Sequence, residues 1–261
     1  MVWDFARVRL LLIMERQVSC TTILMFGDVA LTNYLVYALD RLEHPSDDFA
    51  RVQHKAEKLG STLKYVHVDV TDEAGLKKAI SAIGDTHHGI HGLIAAAGVQ
   101  HELPALQFTA QQVNALLAIN VTGVYSTTQA VAEAMIKYKI KGGSIALIAS
   151  MSGTVANRNL LSAPYNISKA GVQQAGRSFA AELGPHGIRV NTISPGYVET
   201  EMVLGLFKTH PERKTSWASQ NCLGRIGKPE DLQGVAVYLM SDASRWQTGS
   251  DVRVDGGHTA W

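Results

Sequence analysis

Tyr165 and Lys169 stand four residues apart in Tyr165-Asn166-Ile167-Ser168-Lys169, at the head of a helical pattern, so they share one helix face. A phenol has a pKa of about 10, too high for efficient proton exchange at neutral pH. A lysine ammonium beside it favours the phenolate and lowers that pKa. Such a pair can give and take a proton. Ser152 lies thirteen residues before the tyrosine, where an apolar run gives way to small and polar residues. Its hydroxyl is placed to hold a carbonyl oxygen. Taken alone, Tyr-x-x-x-Lys usually marks a half-buried tyrosine beside a solvated lysine. A serine at the end of a buried strand just upstream turns the reading toward chemistry.

The elements that must position these groups follow from periodicity. Ser144 to Ala149 is a short apolar run after Gly142-Gly143, as expected for a central parallel strand covered on both faces. Ligands in open α/β sheets bind outside the carboxyl ends of such strands. Along the chain, Val8 to Met14 reads as a first strand, residues 19–34 as a helix interrupted by Gly27, and Leu35 to Leu39 as a second strand ending at Asp40. A helix follows the Pro45–Asp48 turn, runs to Leu59 and is closed by Gly60. Tyr65 to Val68 is a third strand, and Thr71 can cap a helix to about Ile83. Gly92 to Ala96 is a fourth strand, Thr109 to Lys139 a long helical region, and Ile188 to Ile193 a sixth strand. Two short helices fit between Glu201 and Asn221, one longer helix fits Pro229 to Ser241, and Asp251 to Val254 is the last strand. Strands alternate with helices and no linker interrupts them. The expected fold is a single Rossmann-type domain over residues 1–261, a doubly wound parallel sheet of about seven strands with helices on both faces.

Composition narrows the function classes. Hydrophobic content of 46% with 18% charged residues indicates a soluble globular protein, and a net charge of +1 supplies no field for nucleic acid. Leu10 to Met14 is too short to span a bilayer, and no cleavage site closes a signal peptide. Cys20 and Cys222 have no metal spacing and suggest a reducing compartment, so a cytoplasmic protein is expected. His87-His88-Gly89-Ile90-His91 reads as a surface turn rather than a metal site, and no metal is expected.

These residues resemble the short-chain dehydrogenase/reductase family, whose pattern is a Ser, a Tyr-x-x-x-Lys and an Asn on the preceding helix. The matching positions are Ser152, Tyr165, Lys169 and Asn120, and the resemblance runs from about Leu35 to Trp261. Among members it is most similar to fungal polyol and sugar enzymes of the sorbose reductase and arabinitol or mannitol dehydrogenase type. The resemblance implies hydride transfer between a nicotinamide cofactor and a ketone or secondary alcohol, either a polyol/ketose or a natural-product ketone. It implies that Asn120 supports a water path from the lysine to solvent. It places Asp69-Val70 against adenine, Ala96-Ala97-Gly98 along the cofactor, and Pro195, Gly196, Val198 and Thr200 near the nicotinamide. Asp40, at the end of the second strand, can bind a ribose 2′-hydroxyl, which leans toward NAD; Arg41 beside it could instead pair with the 2′-phosphate of NADP. Residues 201–221 correspond to the substrate lid, where Met202, Leu206, Phe207 and Trp217 either line a pocket or pack on the core. The family pairs subunits through two long helices, here about 109–139 and 165–184, so a homodimer or homotetramer is expected, with the terminal Trp261 buried against another subunit.

The first 34 residues do not follow this pattern. A dinucleotide fold needs a glycine-rich turn after its first strand so that backbone N–H groups reach the pyrophosphate. If Val8–Met14 is that strand, the turn is Glu15 to Thr22, which has no glycine, and Gly27 is the only glycine before residue 60. Weak cofactor binding is expected from this. The rival reading is a catalytically weak or inactive family member with an interaction or regulatory role.

Overall fold

The computed structural model describes residues 22–26, 34–46 and 48–261. Its strands are β1 (Thr22–Phe26), β2 (Leu35–Asp40), β3 (Thr62–His67), β4 (Gly92–Ala95), β5 (Ser144–Ile148), β6 (Arg189–Pro195) and β7 (Asp251–Val254). The helices are α1 (Asp48–Lys58), α2 (Glu73–His87), α3 (Ala110–Leu117), α4 (Val124–Lys137), α5 (Ala163–Leu183), α6 (Glu201–Thr209), α7 (Glu212–Ala218) and α8 (Glu230–Met240). The strands form one sheet in the order β3-β2-β1-β4-β5-β6-β7.

Alternation along β5 shows why this strand can anchor the molecule. Ile145 and Leu147 point to one face, into a cluster with Leu93, Val131, Met135, Val172 and Phe179. Ala146 points to the other, with Ile94, Ile193, Leu239 and Met240. The first cluster is covered by α2, α4 and α5, the second by α1 and α8. A strand buried on both faces has no slack in register, because a one-residue slip would exchange the two layers. The site at its carboxyl end inherits that rigidity.

The N-terminal region corrects the expectation in two respects. Residues 22–26, expected within a helix, form a strand, and that strand runs antiparallel to both neighbours. Thr22 pairs with Leu39, Phe26 with Leu35, and Ile23 with Ile94. The other six strands share one direction. The sheet is therefore mixed rather than wholly parallel, with the reversed strand third in the order. Chain length explains the reversal: only residues 27–34 separate β1 from β2, and a parallel crossover needs roughly a dozen or more residues. The expected strand Val8–Met14, the turn from Glu15 to Thr21, and Gly27 lie outside the described residues. A smaller correction concerns α2. Its capping side chain is Asp72, which accepts from the Gly75 N–H at 3.1 Å, whereas Thr71 spends its hydroxyl on Asp69.

A third, smaller cluster sits under the lid. Leu160, Trp217 and Ile226 are buried there, with Tyr197, Leu206 and Phe207 packed around them. Trp217 is fully covered and stacks on Tyr197 at 4.0 Å between ring centroids. It packs on the core rather than lining an open pocket. Leu206 and Phe207 are partly buried against the same cluster; the Met202 side chain lies outside the described atoms. Among the described residues, no helix is long and apolar enough to cross a membrane.

Candidate active site

β5 stops at Ile148 and the chain tightens into a one-turn 3₁₀ helix, Met151–Gly153. Ser150 caps it by accepting from the Ser152 N–H at 3.1 Å. This fixes buried Ser152 at the strand's carboxyl end. The next residue has to be glycine: a Cβ on Gly153 would come within 2.8 Å of the backbone at Lys169 and Ala170. Backbone cannot yield as a flexible side chain can, so Gly153→Ala should push the serine turn off α5. The expected outcome is a loss of stability of about 1–3 kcal/mol together with a fall in turnover. A melting temperature and turnover equal to wild type would refute the close approach.

α5 brings the other two groups. Pro164 sits in its first turn, where a missing N–H costs nothing. Tyr165 is half-buried one residue later, and Lys169 lies one turn on, buried to 4% exposure. The Lys169 Nζ donates to the Ile148 carbonyl at 2.8 Å and stands 5.6 Å from the centre of the Tyr165 ring. The last residue of β5 thus holds the ammonium over the phenol.

Asn120 is wholly buried in a π-turn, Ala118–Gly123, between α3 and α4. Such turns inside helices occur often at functional sites. Its Oδ1 accepts from the Val99 N–H at 2.8 Å, while Nδ2 donates to the Val99 carbonyl at 2.9 Å and to Ser168 Oγ at 3.0 Å. Ser168 Oγ donates in turn to the Tyr165 carbonyl at 2.7 Å. The side chain clamps the loop after β4 to α5. Gly98 completes the convergence, since a Cβ there would lie 3.4 Å from both Asn120 Oδ1 and Lys169 Nζ.

The remaining expected residues line the carboxyl edge of the sheet. Asp40 is buried at the end of β2 and accepts from the Leu42 N–H at 3.1 Å. Arg41 is exposed beside it. Asp69 accepts from the N–H and hydroxyl of Thr71, bonds that hold its carboxyl below the usual range. Val70 packs on the π-turn at Gly123, Ala97 is buried and Ala96 half-buried. Pro195 ends β6 and is half-buried like Gly196 after it, Val198 is buried, and Thr200 caps α6 by accepting from the Val203 N–H.

Three features escaped the reading of the sequence. Ser168 ties Asn120 to the tyrosine's backbone. Asn157 donates to Ser152 Oγ at 2.6 Å. Arg213 of α7 grips Glu102, on the loop after β4, through two bonds of 2.6 and 2.8 Å, and so fastens the lid. A polar residue between the serine and the tyrosine was the available signal for Asn157. The long-range pair left none.

Comparison with known proteins now decides the family. The family model described as enoyl-(acyl carrier protein) reductase matches residues 39–259. The chain is 35% identical over 232 residues to short chain dehydrogenases/reductase notP′ of Aspergillus versicolor, covering 87% of this chain and 79% of that protein. The chain belongs to the short-chain dehydrogenase/reductase family. It is also 37% identical over 196 residues to a ribulose-forming D-arabinitol 2-dehydrogenase of Candida tropicalis, covering 74% of this chain and 69% of the relative. A solved gluconate 5-dehydrogenase from Burkholderia cenocepacia J2315, in complex with NADP and tartrate, superposes with a TM-score of 0.76 at 29% identity, covering 86% of this chain and 85% of that one.

For a short-chain dehydrogenase/reductase, the described residues fit a nicotinamide cofactor at one end only. Small residues along 96–98 and a buried ammonium at Lys169 leave room and charge for a nicotinamide ribose. The pyrophosphate end does not fit in the same way. β1 runs antiparallel to β2 and β4, so Thr22, not Phe26, pairs near the carboxyl end of β2. The family match itself begins at residue 39, inside β2.

Proposed function

We propose that this protein is an alcohol dehydrogenase/ketoreductase acting between a nicotinamide cofactor and a ketone or secondary alcohol. The observation that carries the reading is the Lys169 ammonium, held by the end of β5 over the Tyr165 ring, next to the Ser152 turn. When bound, the cofactor supplies or accepts the hydride. Ser152 donates its hydroxyl to the substrate's carbonyl oxygen and orients it. Tyr165 delivers the proton to that oxygen in reduction and removes it in oxidation. Lys169 favours the phenolate by its charge and holds the nicotinamide ribose. Asn120 keeps the loop after β4 and α5 in register and supports the proton path behind the lysine. Val198 and Thr200 lie toward the carboxamide, and Asp69-Val70 toward adenine.

The finer reading leans to NAD, because buried Asp40 would repel a 2′-phosphate. Its substrate is a polyol or its ketose, in keeping with the arabinitol-oxidising relative; a natural-product ketone is the other substrate class. The location is cytoplasmic, with no nucleic-acid or membrane partner. A screen of polyols and their ketoses with NAD(H) and NADP(H), at millimolar cofactor, tests all of this. Turnover favouring NAD(H) is expected, and no turnover on any of them would overturn the reading.

The protein is further proposed to be a homodimer or homotetramer. Of the small residues on the two helices expected at the interface, Ala130, Ala134 and Ala180 belong to the chain's own core. What α4 and α5 leave exposed is Tyr125, Ile136 and Ile167. Trp261 is 80% exposed in the single chain, a surface suited to cover by a second copy. Light scattering at micromolar concentration should give at least twice the chain mass of 28.2 kDa. A monomer would contradict it.

A further inference from the structure

Gln173 follows Lys169 by four residues on α5, as Lys169 follows Tyr165, so the three share one helix face. Its side chain is buried and lies against the serine turn: a Cβ on Gly153 would come within 2.9 Å of Gln173 Cδ. The Nε2 has four acceptors in reach. They are the Ser150 carbonyl at 3.2 Å, Thr154 Oγ1 at 3.1 Å, Ser194 Oγ at 3.0 Å and Asp251 Oδ2 at 3.3 Å. A carbonyl and a carboxylate only accept, so the amide must turn its nitrogen toward them. Two of the four flank Ser152 in the chain, with Ser150 before it and Thr154 after it. The other two stand on β6 and β7. The Asp251 carboxylate is itself held, since its Oδ1 accepts from Thr192 Oγ1 and Ser194 Oγ, both at 2.6 Å. Hydroxyl bonds of this length are those made to a charged acceptor.

We infer that Gln173 is a positioning residue: it ties the serine turn to the helix that carries Tyr165 and Lys169, and so sets where Ser152 stands against the phenol. The inference rests on the ketoreductase reading above and adds a residue which that reading leaves out. Ser150 is the turn's anchor. Its hydroxyl accepts from the Ser152 N–H, and its carbonyl accepts from the Gly153 N–H at 3.0 Å. A carbonyl has two lone pairs, and Gln173 Nε2 takes the second. The turn's own bonds set its shape. The bond from Gln173 sets its place along α5, while Ser194 and Asp251 keep the amide from swinging away. A ketone held by Ser152 must receive its proton from Tyr165, and a misplacement of about 1 Å between such groups can cost a hundredfold in rate. Gln173 acts through the backbone of the turn and touches neither the substrate nor the cofactor.

The test is a double-mutant cycle on the ketone that wild type reduces fastest in the screen above, at millimolar cofactor. Gln173→Met keeps the length of the side chain and removes its amide. Its kcat/KM should fall by about tenfold or more, the scale of a lost hydrogen bond in a buried site. Ser152→Ala alone also lowers it. In the double variant the change at Gln173 should cost less than about twofold further, because no serine hydroxyl is left to misplace. A change that only weakened the fold would multiply the two losses. Gln173→Asn is one methylene shorter, so it can satisfy Asp251 without spanning to Ser150, and it runs the same cycle should the methionine variant not fold. Melting curves show which variants fold. Undiminished kcat/KM in a folded variant, a full loss that persists in the Ser152→Ala background, or failure of both variants to fold overturns the role of Gln173 and leaves the ketoreductase reading standing. Ser152→Ala as active as wild type strikes the serine from that reading and this inference with it. Wild type that reduces no ketone overturns both.

Discussion

Tyr165→Phe should lower turnover by about a hundredfold or more, the usual scale of general acid catalysis, in a protein that stays folded. Phenylalanine keeps the ring that packs under Lys169 and removes only the hydroxyl. The backbone carbonyl of residue 165, which accepts from Ser168, is unaffected. Ser152 can still hold the substrate oxygen, so the loss should fall on kcat more than on KM. Steady-state kinetics at saturating ketone, with a melting curve for each protein, read this directly. A folded variant with wild-type turnover would remove Tyr165 from the proton transfer and with it the core of the reading.

NADH should bind about a hundredfold or more weakly here than to relatives that carry a glycine turn at the pyrophosphate. Two backbone N–H bonds to a charged phosphate, each worth about 1.5–3 kcal/mol, set that scale. β1 runs antiparallel to β2 and β4, so it does not end at the carboxyl edge of the parallel strands, where such a turn would sit. The nicotinamide end has no such loss. Reduced nicotinamide mononucleotide should therefore bind with nearly the affinity of NADH, instead of far more weakly. Fluorescence titrations with both, run beside the Burkholderia gluconate 5-dehydrogenase, decide it. Micromolar binding of NADH with a large advantage over the mononucleotide would show that other residues hold the pyrophosphate. This prediction concerns affinity and leaves chemistry at high cofactor concentration intact.

Most of the frame was legible because its strands are short apolar runs closed by turn residues. Leu35–Asp40 and Asp251–Val254 carry such signals at both ends, and the helices over the sheet have caps and a 3.6 period. The segment around Thr22–Phe26 was not. Thr-Ile-Leu-Met-Phe is apolar throughout, so periodicity cannot separate a strand from a buried helix, though its threonine and isoleucine favour a strand. Strand direction is invisible to periodicity altogether. It was written instead in the eight residues, 27–34, between β1 and β2, too few to cross back. At the site, residue type and spacing pointed to Ser152, Tyr165 and Lys169 because the chemistry is unusual for a core. Asn157 and the Glu102–Arg213 pair depend on which loops meet, and that is decided by packing far away in sequence.

β1 also makes a seam. Within the ladder, β2 and β3 connect to β4 through β7 only by way of these five residues. Asp40 and Asp69 lie on one side of the seam, and Ser152 and Lys169 on the other. The layer of α2 and α4 still bridges the two parts, but by side-chain packing and without hydrogen bonds between strands. Opening at β1 would also have to part both core clusters, since Leu39 shares one with Leu93 and Val36 shares the other with Ile94. The gap would run between the part that carries Asp40 and Asp69 and the part that carries Ser152 and Lys169. The separation of those parts is set by β1, five residues paired with β2 on one side and β4 on the other.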